Sequence, residues 1–148
     1  MVDKVAEDHM CMSIARLASE RSHDEIYKVG CVIVTPDHQM TIGWNGMPAG
    51  MDNAVREPQL NRSPDGHLLF EMKTRPENAH AELNALGKFA GSTASAEGGI
   101  LYTTLSPCMK CAILIHRAKI SEVVYDEEYK DERPLTFLAE RGIGVRKL

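Results

Sequence analysis

The spacing of apolar positions changes several times along this chain, and each change predicts an element. Met10, Ile14 and Leu17 recur at helical spacing with Cys11 and Ala18 beside them, which predicts an amphipathic helix over residues 7–17, ending near Arg21-Ser22-His23-Asp24. Residues 30–35 form a β-branched run, Pro36-Asp37-His38-Gln39 reads as a turn, and residues 40–44 return as a second strand, giving a β-hairpin. Residues 45–78 hold Gly46, Pro48, Gly50, Pro58, Pro64, Gly66 and Pro76 with little periodicity, so they read as a long excursion of the functional or flexible kind. Helical spacing resumes over residues 79–90, with Gly91 as the stop. A strand over 100–104 follows. Ser106 then reads as an N-cap with Pro107 at the first helical position of a helix that continues to residue 119. A strand over 122–125, a helix over 134–141 stopped by Gly142 and a strand over 143–146 complete the chain.

One hairpin followed by alternating strands and helices predicts an α/β fold: a mixed five-stranded sheet with helices on both faces, one domain over residues 1–148. At 148 residues the chain can bury a core without disulfide support. It has no apolar run of membrane-spanning length, and Met1-Val2-Asp3-Lys4 lacks the apolar core of a signal peptide, so a cytoplasmic location is expected, with no membrane partner. The formal net charge of −4 and the absence of a Lys/Arg cluster speak against polynucleotide binding and for a small substrate.

Four cysteines change the picture further. Cys11 and Cys31 fall in apolar segments and read as buried thiols, whereas Cys108 and Cys111 form a Cys-x-x-Cys clip directly after Pro107. Twenty-five residues before that proline lies His80-Ala81-Glu82. One imidazole and two thiolates make three zinc ligands, leaving the fourth tetrahedral position for water, as catalytic sites do. Both segments open predicted helices, whose N-termini favour thiolate over thiol. Glu82 is placed to move protons without binding the metal. The competing reading is a closed structural zinc site, completed by Cys31 or another histidine, with Glu82 a surface carboxylate.

His-x-Glu with Pro-Cys-x-x-Cys resembles the zinc-dependent cytidine and deoxycytidylate deaminase superfamily. Arg21-Ser22-x-Asp24, Val29-Gly30, Gly43-x-Asn45-Gly46-Met47-Pro48-x-Gly50, His80-Ala81-Glu82-x-Asn84-Ala85, Leu105-Ser106-Pro107-Cys108 and Val123-Val124-Tyr125 are similar to deoxycytidylate deaminases in particular. The resemblance implies an α/β/α sandwich and hydrolytic conversion of dCMP to dUMP, with His80, Cys108 and Cys111 on Zn²⁺ and Glu82 as proton carrier. It also implies that Asn45 meets the deoxyribose 3′-hydroxyl, and that Ser22, Tyr129 and Lys130 meet the 5′-phosphate. Some relatives carry a basic side chain just after the position of Asp24, where this chain reads Glu25-Ile26-Tyr27-Lys28, so phosphate ligation could shift to Lys28, Lys130 or a neighbouring subunit. The family further implies homo-oligomers, commonly hexamers, activated by dCTP and inhibited by dTTP, with Mg²⁺ on the triphosphate. Its effector segment corresponds to Gly43, Trp44, Asn45, Gly46, Met47 and Gly50, with Lys28 as a candidate phosphate ligand. A deaminase acting on dCTP or another base, and a catalytically silent zinc-stabilised nucleotide-binding module, are the alternatives.

Overall fold

The computed structural model describes residues 3–148. Met1 and Val2, part of the stretch read as lacking a signal peptide, lie outside the described residues. The elements run α1 (Lys4–Ser19), β1 (Gly30–Val34), β2 (Met40–Trp44), β3 (Arg56–Arg62), β4 (Leu68–Thr74), α2 (Ala81–Ala90), β5 (Ile100–Leu105), α3 (Met109–Arg117), β6 (Glu122–Glu127), α4 (Arg133–Glu140) and β7 (Gly144–Lys147). Five strands form a mixed sheet in the order β2-β1-β5-β6-β7. β1 pairs antiparallel with β2 and β5, while β5–β6 and β6–β7 are parallel.

Strand alternation sorts the core into two layers. Cys31, Ile33, Leu101 and Val123 point to the face covered by α2, α3 and α4, packing on Ala85, Ile115 and Leu138. Val32, Val34, Tyr102 and Val124 point to the other face, where Cys11, Met12 and Ala15 of α1 meet them. Burial on both faces explains why the β1 segment is apolar throughout rather than alternating. The architecture is the expected α/β/α sandwich.

Helix α1 departs from expectation in which face it buries. Met10 and Leu17, read as core positions, are 51 % and 65 % exposed, and the inward residues are Asp8, Cys11, Met12, Ala15 and Ala18. Closeness decides this. A Cβ at Gly30 would stand 1.8 Å from the Ala15 carbonyl, so the helix lies almost on the strand backbone at Ala15, while Cys11 and Met12 fill the same sheet face beside it. Buried Asp8 is held by the Tyr102 hydroxyl at 2.8 Å and Arg146 at 2.9 Å. Burial pushes its carboxyl up, but these hydrogen bonds outweigh burial and hold it below the ordinary value.

Two boundaries also shift. Ser106 does not cap a helix: its N–H donates to the Glu127 carbonyl at 2.9 Å and its hydroxyl accepts the Tyr129 N–H at 2.7 Å, which extends the β5–β6 pairing. The N-caps are Cys108 for α3 and His80 for α2, both in extended backbone conformation. The largest difference lies in residues 45–78. These contain a regular two-stranded antiparallel ribbon, β3–β4, paired from Arg56↔Thr74 to Arg62↔Leu68. Proline and glycine in the segment obscured it, but Pro64 and Gly66 belong to the turn, and Pro58 sits in a ribbon where each strand has a free edge that needs no N–H donor.

Candidate active site

Two helix beginnings converge at the end of β5. As N-cap residues, His80 and Cys108 have side chains that no capping hydrogen bond occupies, which leaves them to face each other across the gap between α2 and α3. His80 Nδ1 lies 3.4 Å from Cys108 Sγ and 3.5 Å from Cys111 Sγ. The ligand atoms of the three residues all fall within 4.8 Å of one another. Among the described residues no fourth side chain joins this group. Cys31 is fully buried in the core beneath.

The electrostatics suit a cation. Hydrogen bonding with the Cys111 thiol, and then with His80, holds Cys108 down to about 3, the direction that favours a thiolate. Cys111 shares that hydrogen bond and is pushed up by it, by burial and by the nearby Glu82. His80 is raised by the same Cys108 sulfur. One nitrogen and two sulfurs at this separation match the donor preference of zinc and of its three-ligand catalytic sites.

Glu82 occupies the first turn of α2 and is 4 % exposed. Burial raises its carboxyl above the ordinary range, the direction that fits an acid–base group rather than a permanent anion. Its Oε1 lies 3.3 Å from the hydroxyl of fully buried Thr103, which also donates to the Leu105 carbonyl at 2.8 Å. Thr103 therefore ties the carboxylate to the end of β5. As one more polar residue in a strand, it gave no signal in the sequence.

A cavity of about 260 Å³ opens above this group, lined by His80, Glu82 and Cys108 together with Asp24, Tyr27, Asn45, Thr74, Asn78, Ser106 and Tyr129 among others. Asn45 and Tyr129 are thus brought to the cavity. Asn45 is also a brace: its Oδ1 accepts the Val29 N–H at 2.9 Å and its Nδ2 donates to the Tyr27 carbonyl at 2.7 Å. Ser22 and Lys130 do not line the cavity. Ser22 is buried behind Asp24, whose N–H donates to its hydroxyl at 3.2 Å, and Lys130 stands 5.9 Å over the Tyr129 ring.

Linear spacing assigns no role to Asp24 or Asn78. Asp24 is 2 % exposed and receives the Arg56 guanidinium at 3.2 Å. Asn78 Oδ1 is buried without a hydrogen-bond partner.

The segment read as an effector site divides. Gly43, Trp44, Gly46 and Met47 line a separate groove with Leu83, Asn84 and Lys88, while Asn45 faces the first cavity. Lys28 and Gly50 are exposed and line neither. Gly43 is buried under α2, where a Cβ would come within 2.5 Å of the Ala81 carbonyl. Arg21 and Lys88 both lie over the Trp44 ring, at 4.9 and 5.9 Å from its centroid.

Residues 5–127 match the family model of the cytidine and deoxycytidylate deaminase zinc-binding region. The chain belongs to this family. It is 34 % identical to the deoxycytidylate deaminase of Saccharomyces cerevisiae over 143 residues, which are 95 % of this chain and 44 % of the yeast protein. It is likewise 34 % identical to the deoxycytidylate deaminase of Mus musculus over 127 residues, 84 % of this chain and 67 % of the mouse protein. The chain therefore spans less than half of the yeast relative. A crystal structure of dCMP deaminase from the cyanophage S-TIM5, in complex with dCMP and dUMP, superposes with a TM-score of 0.80 at 33 % identity, covering 100 % of this chain and 99 % of that one. The α/β fold is the one seen there. No helix among the described residues is long and apolar enough to cross a membrane.

Proposed function

We propose that this family member hydrolyses dCMP to dUMP and ammonia with Zn²⁺ held by His80, Cys108 and Cys111, supplying dUMP for thymidylate synthesis in the cytoplasm. One observation carries the reading: a buried carboxylate with a raised pKa stands beside a three-donor cluster, and Glu82, His80 and Cys108 line one cavity. The cyanophage enzyme, 33 % identical, holds dCMP and dUMP.

When bound, zinc supplies a Lewis acid that makes water a nucleophile near neutral pH. The chain's own residues do the rest. Glu82 accepts the proton that water gives up as its oxygen attacks C4 of cytosine, and passes that proton to ring N3. It then takes the remaining proton from the oxygen now bonded to C4 and delivers it to the exocyclic nitrogen, so that the C4–N bond breaks with ammonia leaving and the C4 carbonyl of uracil remaining. Thr103 holds the carboxylate in line for both transfers. Asn45 and Tyr129 are assigned to the sugar and phosphate, with Ser22 and Lys130 acting from behind them. The direct test is ammonia release across dCMP, CMP, cytidine, dCTP and guanine. Preference for dCMP supports the proposal, and preference for dCTP or for a free base contradicts the substrate assignment.

Regulation belongs to the same proposal: a homo-oligomer, hexameric by family, activated by dCTP and inhibited by dTTP with Mg²⁺. Asn45 faces the active cavity while its neighbours Trp44 and Gly46 line the groove, so a ligand in the groove displaces an active-site residue through the backbone. A coupling of about 1–3 kcal/mol would change apparent affinity roughly 5- to 150-fold. Sigmoidal dCMP saturation, shifted oppositely by the two nucleotides, is the expected result. Hyperbolic saturation indifferent to both would contradict regulation and leave the zinc chemistry standing.

A further inference from the structure

The ribbon β3–β4 carries its apolar residues on the wrong side for a solvated arm. In the observed register Pro58 opposes Met72, Leu60 opposes Phe70 and Arg62 opposes Leu68, so these six side chains share one face. Leu60, Leu68, Phe70 and Met72 are 61 %, 59 %, 73 % and 56 % exposed. The reverse face is largely polar, with the Asn61 amide donating to Glu71 at 2.9 Å. A sheet face turned to water is ordinarily the polar one, and an isolated two-stranded ribbon is marginal unless one face is covered. This ribbon is nevertheless paired along seven residues of each strand.

We propose that the Pro58–Leu60–Leu68–Phe70–Met72 face packs against the same face of a second copy of this chain about a two-fold axis. Area is the first argument. Four large side chains more than half exposed amount to on the order of 400–500 Å² of apolar surface, the size that marks an interaction site on a soluble protein. Two such faces stacked remove roughly 1,000 Å² with their borders, the lower limit for a specific interface. Self-complementarity is the second. A second copy brings a matching apolar face without further requirement, and a two-fold contact sets the central Leu60/Phe70 pair near the axis, where like meets like. Two ribbons stacked about 10 Å apart bury their faces as paired sheets do.

The ribbon is rooted in the active cavity. Thr74 lines that cavity, and Arg56 grips Asp24, which lines it too. Val55, just before β3, is buried and accepts the Arg75 N–H at 2.8 Å, closing the base of the ribbon. Pairing of ribbons therefore ties one wall of the site to a neighbouring subunit.

The inference rests on the homo-oligomer reading and names its surface, so the two must be able to fail separately. Light scattering on the zinc-loaded chain should give an assembly for the unaltered protein, and a smaller one for L60D/F70E. Gln59→Lys, on the reverse face, should leave the mass unchanged. Because charges introduced on a strand can impair folding, a second measurement adds one cysteine at a time. Phe70→Cys should form a disulfide-linked dimer under mild oxidation, and Glu71→Cys should not. An unaltered protein with the mass of one chain overturns both readings. An assembly unaffected by L60D/F70E, with no cross-link through Phe70→Cys, overturns the ribbon contact alone.

Discussion

The cradle around His80, Cys108 and Cys111 and the ribbon around Leu60 and Phe70 are organised in opposite ways. In the cradle, polar and ionisable groups are gathered inward at two helix N-termini and joined by short contacts. In the ribbon, large apolar groups are turned outward on a regular pair of strands. Each inverts the usual preference of inside for apolar and outside for polar, and each inversion points to a partner absent from the chain itself: a cation for the first, another surface for the second. The difference lies in what the inversion costs. Gathered thiolates and a buried carboxylate need a compensating charge or a proton, whereas an exposed apolar face leaves the fold intact and awaits association.

Altering the cradle should therefore have the larger consequences. Cys111→Ala removes one of three donors from the group and should eliminate both stoichiometric zinc and turnover, read by metal analysis and ammonia release. Retention of zinc at unchanged affinity would mean that the donor set is misassigned. The next effect concerns the floor under α2, the helix that carries Glu82. Gly43→Ala would set a Cβ 2.5 Å from the Ala81 carbonyl, and overpacking of this kind should cost about 1–3 kcal/mol in denaturant unfolding. A variant as stable as the parent would show that α2 can move aside.

Thr103→Val is a smaller perturbation, since it keeps shape and removes only the hydroxyl next to Glu82. Turnover should fall about tenfold, equivalent to roughly 1.4 kcal/mol, with KM little changed and with Thr103→Ser restoring most of the loss. Equal loss in the serine variant would assign Thr103 to packing. Smallest of all should be Leu69→Ser, on the largely polar face of the ribbon. Stability should stay within about 0.5 kcal/mol and catalysis unchanged, and a large loss of either would mean that this face is buried in the working protein.

The same contrast governs what was legible in the sequence. His80, Glu82, Cys108 and Cys111 could be read because metal chemistry demands particular residue types at short fixed spacings, and the structure gathers His80, Cys108 and Cys111 into one group, with Glu82 lining the cavity that His80 and Cys108 share. The five-stranded sheet was legible because β1, β5 and β6 are runs of β-branched and other apolar residues, β2 follows β1 across a turn, and helical periods separate β5, β6 and β7. Alternation at Leu68, Phe70 and Met72 was present too, but prolines and glycines around it suggested a loop, and no partner element in the chain asked for an apolar face. Helix α1 misled in another way. Hydrophobicity favoured Met10 and Leu17, which face outward, whereas Cys11 and Ala18 beside them are buried as read, and close approach to Gly30 brings Ala15 inward. Thr103 and Asp24 depend on contacts between distant segments, to which linear spacing is blind.

The central claim is that Glu82 moves protons for a zinc-held reaction on dCMP without holding the metal itself. Glu82→Gln, assayed for zinc content and for ammonia release from dCMP on the same preparation, tests it most directly. The account predicts about one zinc per chain, as in the unaltered protein, with turnover reduced by a factor of roughly 10²–10⁴. Zinc lost together with activity, or turnover from dCMP at the unaltered rate, would contradict it.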